Sequence, residues 1–365
     1  MSRVPSGAPS GPAGLRRLTR LPIAAAVAGC AGYLADLLGL PLAWLLGAGI
    51  ATATICLSVG PVRVPGALYR TGQVFVGAAV GLTVTSDILA RLGPHALLAP
   101  AGALVSIAIG RAIFPALARH GGVSRETAYF ALVPAGIAEM AEQAGKRGAD
   151  MAAVGTFHAF RVGLMVLVLP FIVLQIGEPV AREAAAPATW AAAGWTPSLL
   201  VAFAVAGIAA PVASRIGVPS GWLLGPMAVL AVLSGAGLID AKEPELILAL
   251  AQVLLGLGIG ARFTRETVAR LPRALAVGVP LMVGHAAVMA VLGLAVAASL
   301  ALDPVVMLLG YSTGGIAEMV LTAKAVGADA ALVTAYQVTR GILGNLLGGA
   351  IYDRTVAGRA PSAGE

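Results

Sequence analysis

The chain has 365 residues, of which 58% are apolar and only 11% charged, and its mean hydropathy is +0.90. A soluble domain carries roughly 25% charged residues, so this chain cannot cover a globule with polar side chains and must present much of its surface to lipid. The net charge of +7 comes mainly from short loops and the termini. This distribution excludes a basic nucleic-acid surface and is the usual bias of inner-membrane proteins.

The apolar residues fall into long runs that predict membrane helices. The runs are roughly 18–27 residues long, the length of a helix that crosses a bilayer, whereas the strands of an outer-membrane barrel have about ten residues. We therefore predict an all-α polytopic protein of the bacterial inner membrane. The predicted segments are 21–39, 41–60, 67–85, 95–118, 127–144 and 151–176, then 196–214, 219–239, 245–261, 272–300, 304–323 and 329–351.

Three stretches interrupt or flank these segments and divide the chain. Residues 1–20 are rich in Pro, Ser and Gly and end in arginines, which predicts a disordered cytoplasmic tail. Residues 177–195 form a predicted linker, and 353–365 a short C-terminal tail. Two membrane repeats are thereby predicted, 21–176 and 196–352.

One motif occurs in both repeats and organises the rest of the chain. Each copy has a glycine, a glutamate three residues later, then an aspartate, and finally an arginine on the next apolar segment. Corresponding residues of the two copies are 179 positions apart. The first copy consists of Gly136, Glu139, Asp150 and Arg161, and the second of Gly315, Glu318, Asp329 and Arg340.

The duplication extends beyond this motif. The stretch 39–47 matches 217–225, and Gln73 matches Gln252. The most basic loops of the two halves follow segments of opposite parity, which predicts halves of inverted topology. Inversion requires an odd number of crossings per half, and we count six segments. Either one segment per half does not cross, or the linker does; the short segment that carries the glutamate is the most irregular.

The sequence around each repeated glycine predicts a broken helix. Pro134 and Gly136 in the first copy, and Thr313, Gly314 and Gly315 in the second, weaken helical structure inside an apolar segment. Backbone that unwinds at membrane depth must be buried or line a wet cavity, where half-helix termini can hold ions or charged solutes. The alternative is a close packing contact between helices.

The repeated charges predict either an ion site or a structural pair. A carboxylate inside a membrane costs at least about 2.5 kcal/mol, so Glu139 and Glu318 need partners, for which Arg161 and Arg340 are the candidates. A proton- or cation-coupled site would use such carboxylates, with the broken helices holding the solute. Two Glu–Arg pairs that lock neighbouring helices are the alternative.

Other polar residues have narrower interpretations. Asp150 and Asp329 precede the last segment of each half, where we predict N-caps, with a coupling role as the alternative. Gln73 and Gln252 either bond across helices or line a pathway. His158 matches Gln337, so we assign the histidine to no duplicated site; a pathway role is the alternative, because it lies three residues before Arg161 on the same face.

The sequence gives no sign of an enzyme. The four histidines are scattered without metal-ligand spacing, and the two cysteines lie in apolar runs. We find no P-loop, nucleophile elbow or zinc-protease motif. We therefore expect no catalytic residue, no metal and no cofactor.

The repeated motif resembles the hallmark of the bacterial membrane AbrB duplication family. The second copy, from Thr313 through Ala325 to Arg340, matches closely, whereas the first has Ala135 in place of a glycine. The resemblance covers about residues 21–352. Members are commonly described as AbrB family transcriptional regulators or as ammonia monooxygenases. The first description implies control of gene expression, although nothing here resembles the small DNA-binding AbrB fold; the second implies a metal centre, for which the chain lacks ligands.

The broken helices are also similar to the crossing helices of the cation–proton antiporter and bile-acid symporter superfamily. That resemblance implies a panel domain, a core domain and alternating access. We expect a secondary transporter or exporter of a small solute, coupled to protons or cations; a membrane regulator of gene expression that acts through a partner is the alternative. The expected partners are the lipid bilayer, an unidentified solute and a coupling ion, with no direct nucleic acid; a homodimer is one candidate assembly.

Overall fold

In the computed structural model, the described residues are 20–83, 93–176, 196–218, 220–241 and 243–357. They form helices joined by turns, with no β-strand among them. In the first half the helices are α1 (Arg20–Leu37), α2 (Ala43–Ser58), α3 (Gly66–Gly81), α4 (His95–His120), α5 (Arg125–Leu132), α6 (Ile137–Gly145) and α7 (Met151–Ile176). In the second half they are α8 (Pro197–Arg215), α9 (Gly221–Gly235), α10 (Glu245–Gly260), α11 (Arg265–Arg270), α12 (Pro272–Leu300), α13 (Pro304–Tyr311), α14 (Ile316–Ala325) and α15 (Ala330–Thr355).

The helices have the length and surface of membrane helices. Six helical segments of 18 to 29 residues are long and apolar enough to cross a bilayer. Large apolar side chains such as Ile23, Leu97 and Ile208 are 61%, 79% and 67% exposed. An apolar surface of this kind is stable against lipid and not against water. The prediction of a polytopic α-helical membrane protein is confirmed.

The predicted irregular segment of each half consists of two short helices. The predicted segment 127–144 is divided into α5 and α6, and the segment 304–323 into α13 and α14. The predicted helix break is thus present in both halves. The last helix continues to Thr355, into the predicted C-terminal tail. The linker 177–195, residues 1–19 of the N-terminal tail and 358–365 lie outside the described residues.

The helices pack into two bundles, and each bundle takes helices from both halves. The panel bundle consists of α1, α2, α3, α8, α9 and α10, and the core bundle of α4 to α7 and α12 to α15. The panel and core bundles contact each other mainly where α14 meets α3 and where α7 meets α10. The space between them is therefore bordered by the broken helices on one side and by the panel bundle on the other.

Glycines allow the helices of the panel bundle to approach closely, as is usual in membranes. A Cβ atom at Gly77 would collide with the carbonyl oxygen of Leu223, and one at Gly256 would lie 2.7 Å from that of Leu45. Gly77 corresponds to Gly256, and Leu45 to Leu223, in the duplicated sequence. The two contacts are therefore the same contact made twice with the halves exchanged, as expected of units related by a two-fold axis.

The core bundle contains a contact of the same kind. Ser106 Oγ lies 3.1 Å from His285 Nε2, and the two residues are 179 positions apart, which is the repeat offset. Each is the positional equivalent of the other, so α4 and α12 meet through equivalent positions, as a pseudo-two-fold axis between the halves would require. Whether that axis relates inverted or parallel halves remains a prediction from loop charge.

Candidate functional site

Each broken segment contains an extended stretch between its two short helices. Val133 and Gly136 have extended backbone between α5 and α6, and Ser312 and Gly315 between α13 and α14. Such a break leaves carbonyl groups at the end of the first helix and N–H groups at the start of the second without helical partners. In a membrane these groups must find other partners.

The free carbonyl groups are bound by equivalent residues of α7 and α15. His158 Nε2 lies 2.8 Å from the carbonyl oxygen of Phe130, and Gln337 Nε2 donates to that of Leu309 at 2.7 Å; both pairs are 28 residues apart. Because a carbonyl only accepts, Nε2 of His158 carries the proton. The histidine and the glutamine therefore have the same duplicated role, and our interpretation that His158 has none was wrong.

One turn further along the same helices, the repeated arginines reach the extended stretches. Arg161 Nη2 donates to the carbonyl of Ala135 at 3.4 Å, and Arg340 Nη2 to that of Gly314 at 2.6 Å; both pairs are 26 residues apart. The side chain of Arg340 also donates to Gln337 Oε1 at 2.5 Å. The two arginines are only 3% and 5% exposed, and their positive charges repel each other.

Most of the donor capacity of these two arginines is unused. Within the described part of the chain, Nε and Nη1 of both Arg161 and Arg340 are buried without a hydrogen-bond partner. Buried polar groups are nearly always hydrogen-bonded, and a buried charge without a counter-charge is more costly still. Four unpaired guanidinium nitrogens in one place therefore indicate that something other than the protein binds there.

The N-termini of α6 and α14 reach the same place. Their N-cap residues, Gly136 and Gly315, have no side chain that could cap the helix. Glu139 and Glu318 lie in the first turn, and a Cβ atom on either glycine would collide with the glutamate Oε2 of its own helix. Each carboxylate is therefore folded back over the positive end of its helix, which stabilises a negative charge there.

These elements surround one cavity of about 240 Å³ between the panel and core bundles. The cavity is lined from both halves of the chain. It brings together eight of the predicted site residues, namely Gly136, Glu139, Arg161, Gly314, Gly315, Glu318, Arg340 and Gln73. Thr313 does not line it; this residue is fully buried beside the cavity-lining Gly314, and its Oγ1 has no partner among the described residues.

Tyr69, Arg262 and Asn345 also line the cavity, and sequence analysis missed all three of them. The hydroxyl of Tyr69 donates to Glu318 Oε1 at 3.0 Å, and the guanidinium of Arg262 lies 5.6 Å from the centre of the Tyr69 ring and attracts Glu318. Asn345 contributes a buried Oδ1 without a partner among the described residues. Their repeat equivalents are Leu248, Thr83 and Val166, so a search for duplicated polar residues could not find them.

The proposed Glu–Arg pairs are absent from the described residues: no ion pair joins either repeated glutamate to either repeated arginine. Glu318 binds Tyr69 instead, and the arginines bind backbone carbonyls. The interpretation as two structural Glu–Arg pairs is therefore wrong for this conformation. The physical reason is that each carboxylate interacts with the N-terminus of its own helix.

The repeated glutamines differ from each other. Gln73 lines the cavity, whereas Gln252 Oε1 accepts from the backbone N–H of Leu45 at 3.3 Å within the panel bundle. Gln252 therefore bonds across helices, which was one of its two predicted roles, and it lies outside the cavity lining.

The repeated aspartates occupy the predicted N-cap positions. Asp150 Oδ1 accepts from the N–H groups of Ala152 and Ala153 at 2.9 and 3.0 Å, and Asp329 Oδ1 from those of Ala331 and Leu332 at 3.0 and 3.1 Å. These bonds begin α7 and α15, the helices that carry the two arginines. The aspartates thus help to position the site without lining it.

Comparison with known proteins identifies the family. The family model described as "Transition state regulatory protein AbrB" matches residues 44–353. The chain belongs to the AbrB family. Two AbrB-like relatives are similar along nearly their whole length: "Uncharacterized protein YhjN" of Bacillus subtilis (strain 168) is 27% identical over 342 residues, which cover 87% of this chain and 88% of the relative. "Putative regulator AbrB" of Escherichia coli (strain K12) is 27% identical over 338 residues, which cover 90% and 94%. No solved structure matches.

In this AbrB-family chain, the described residues offer the following groups at the site. Within the described residues, no group of three or more His, Cys, Asp or Glu side chains could hold a metal ion. The cavity offers unpaired guanidinium donors, two helix N-termini and two carboxylates.

Proposed function

We propose that this AbrB-family protein is a secondary transporter of the bacterial inner membrane that moves a small solute, coupled to protons or cations. The observation that carries the proposal is the position of the cavity. Its wall is formed by both halves of the chain and by both bundles, and it contains buried charges that the protein does not neutralise. A charged site at the interface of two membrane repeats is the usual location of a transporter's substrate.

The contacts between the panel and core bundles favour alternating access. Polar contacts across the interface come from α14, where Glu318 accepts from Tyr69 and Lys324 Nζ donates to the carbonyl oxygen of Ala79 at 3.2 Å. Within each bundle, by contrast, helices are in direct backbone contact at glycines. Two rigid bundles with a narrow interface can move relative to each other and expose the cavity first to one side of the membrane and then to the other.

The two glutamates are the proposed proton carriers. A carboxylate that takes up a proton adds one positive charge to the cavity, and release of the proton on the other side removes it. The charged and titratable groups that face these carboxylates in the cavity are Tyr69, Arg262, Arg161 and Arg340. Three of these groups are arginines, so the cavity is already positive. Protonation of Glu139 or Glu318 raises its net charge further, and this change couples the movement of the proton to that of the solute.

The second candidate function is regulation of gene expression from the membrane. The family description and the name of the Escherichia coli relative favour it. In that case the cavity would bind a signal molecule, and the resulting movement of the bundles would act on a partner protein. We propose no enzymatic activity and no cofactor for either function.

The experiment that tests transport records two quantities in proteoliposomes: charge movement on a solid-supported membrane, and proton movement with an internal pH dye, because a monoanion that moves with one proton carries no net charge. Small anionic, cationic and neutral solutes are added one at a time, with and without a pH gradient. We expect at least one solute to give a current or a pH change that depends on the gradient, and Glu318→Gln to reduce that signal at least tenfold because the carboxylate can no longer exchange a proton.

The matched control is Glu142→Gln, on α6. Glu142 pairs with Lys146 at 2.7 Å, and its side chain is 66% exposed. We expect the signal of this variant to stay within a factor of two of the wild-type value. If no solute gives a current or a pH change, the transport proposal is wrong; if Glu318→Gln behaves like the control, the proposed mechanism is wrong.

A further inference from the structure

We infer that the solute is a small oxyanion of the carboxylate, phosphate or sulfate class and that Arg161 and Arg340 bind it directly. The inference rests on the proposed function in one respect only, namely that the bound solute is transported. Binding of the solute at this site does not itself require transport. The chemical class follows from the polar groups of the cavity that lack partners among the described residues: four guanidinium nitrogens of Arg161 and Arg340 against one acceptor, Oδ1 of Asn345.

The first step of the argument concerns the two guanidinium groups. Arg161 and Arg340 line the cavity, are at least 95% buried and repel each other. Each donates only from Nη2 to a backbone carbonyl, apart from the bond of Arg340 to Gln337, so Nε and Nη1 remain without partners in the described structure. Nε and an Nη atom form the fork that binds two oxygens of a carboxylate or phosphate at once.

The second step concerns the helix N-termini. The helices α6 and α14 have nine and ten residues, and both begin at the cavity with a glycine N-cap. The N-terminus of a helix carries a partial positive charge and free N–H groups, so it attracts anions. Two of them face the same space as the arginine pair.

The third step asks why the glutamates do not neutralise the arginines already. Among the described residues, neither glutamate is ion-paired to an arginine of the cavity. Glu318 accepts from Tyr69, and both carboxylates lie against the glycine at the start of their own helix. The cavity lining has three arginines and two glutamates, so positive charge is in excess even when both glutamates are ionised.

A cationic solute would have to enter this positive cavity and leave the two guanidinium groups unpaired. A neutral solute would leave their charge uncompensated. A small oxyanion resolves both problems, because it supplies negative charge and acceptor oxygens together. The volume of about 240 Å³ suits a small solute of this class rather than a peptide.

The test measures binding to the purified full-length protein in detergent, so that it does not depend on transport. The probes are sodium acetate, succinate, phosphate and sulfate, with sodium chloride, putrescine hydrochloride and glucose for comparison. Binding of each compound is measured by thermal shift and by titration calorimetry. We expect at least one oxyanion to bind and raise the melting temperature, whereas chloride, putrescine and glucose do not.

The variants are Arg161→Gln and Arg340→Gln, with Arg111→Gln as the matched control. Arg111 is a half-buried arginine of the core bundle that donates to Thr355 Oγ1 at 3.1 Å and does not line the cavity. We expect each cavity variant to bind the oxyanion at least tenfold more weakly and the control to bind within a factor of two. Without ligand, Arg161→Gln should melt at or above the wild-type temperature, because it removes a buried charge whose Nε and Nη1 lack partners.

The outcomes separate this inference from the proposed function. Three results would overturn the inference: selective binding of putrescine or glucose, a full effect from chloride alone, or oxyanion binding that is unchanged in both cavity variants. Each of them would leave transport standing if transport is seen in proteoliposomes. Oxyanion binding that depends on the two arginines, with neither a current nor a pH change in proteoliposomes, would support the inference and overturn transport in favour of a sensor.

Discussion

Gly315 illustrates how a missing side chain shapes the site at the scale of one residue. Its φ of −83° is available to any residue, so the backbone does not require glycine there. The available space does require glycine, because a Cβ atom at this position would collide with Oε2 of Glu318. The glycine therefore allows the carboxylate to lie over the N-terminus of α14, and an added methyl group would push it into the cavity.

Gly315→Ala should consequently disturb the site without unfolding the protein. We expect the displaced carboxylate to weaken oxyanion binding and gradient-driven transport at least tenfold, since a negative charge moves towards the arginine pair. The change in unfolding free energy should stay within about 1 kcal/mol, because alanine is a poorer N-cap than glycine but loses less backbone entropy on folding, and the two effects oppose each other. Titration calorimetry and thermal melting give both quantities.

Gly341→Ala is the control for this prediction. Gly341 also lines the cavity, but a Cβ atom there would meet only Ile316 Cδ1, at 3.9 Å, which is ordinary contact. Binding by this variant should stay within a factor of two of the wild-type value. Equal losses in both variants would mean that added bulk in the cavity, and not the position of Glu318, is responsible.

Single residues of the site were predictable where the chain repeats them. Glu139 and Glu318, and the two arginines, stand out because charge in an apolar segment is costly and here it occurs twice. Tyr69 and Arg262 were not predictable, because their repeat equivalents are apolar or small and each lies on the panel bundle, far along the chain from Glu318. The partners of the glutamates therefore required the three-dimensional structure.

At the scale of elements, the broken helices depend on the helix that follows each of them. The side chains of His158 and Gln337 bind carbonyl groups that the break leaves without helical partners. Gln337 also donates to the carbonyl of Ser312 at 3.2 Å. The break itself was predictable from glycine and proline in an apolar segment, but its anchor was not, because it is a histidine in one half and a glutamine in the other.

Gln337→Leu should therefore destabilise α13 and α14. The substitution leaves buried carbonyls without a donor, at a cost of about 1–3 kcal/mol, which thermal or denaturant unfolding in detergent measures. Gln337→His should recover at least half of the loss, because the first half of the chain uses a histidine at this position for the equivalent bond. A leucine variant as stable as the wild type would show that the hydrogen bond contributes nothing net.

At the scale of the whole molecule, neither half of the chain forms a bundle by itself. In the panel bundle, α3 packs on α9 and α10 on α2, and in the core bundle α4 packs on α12 and α15. The sequence predicted two consecutive repeats but not this exchange of helices, because periodicity along a chain does not reveal which faces of different helices meet. The reciprocal glycine contacts at Gly77 and Gly256 show it in the panel bundle, and the Ser106–His285 contact shows it in the core bundle.

This exchange predicts how the protein behaves when its chain is divided within residues 177–195 and the halves are produced as separate polypeptides. Each half alone leaves helix faces that should contact the other half, so it should be degraded or aggregate. Produced together, the halves should assemble, and an affinity tag on the first should recover the second.

Gly256→Leu should reduce that recovery at least threefold, because its side chain would collide with the carbonyl of Leu45 and with Ala48 Cβ. Gly235→Leu is the control, since nothing lies within 4 Å of a Cβ atom there. Recovery of a stable first half without the second would contradict the exchanged arrangement.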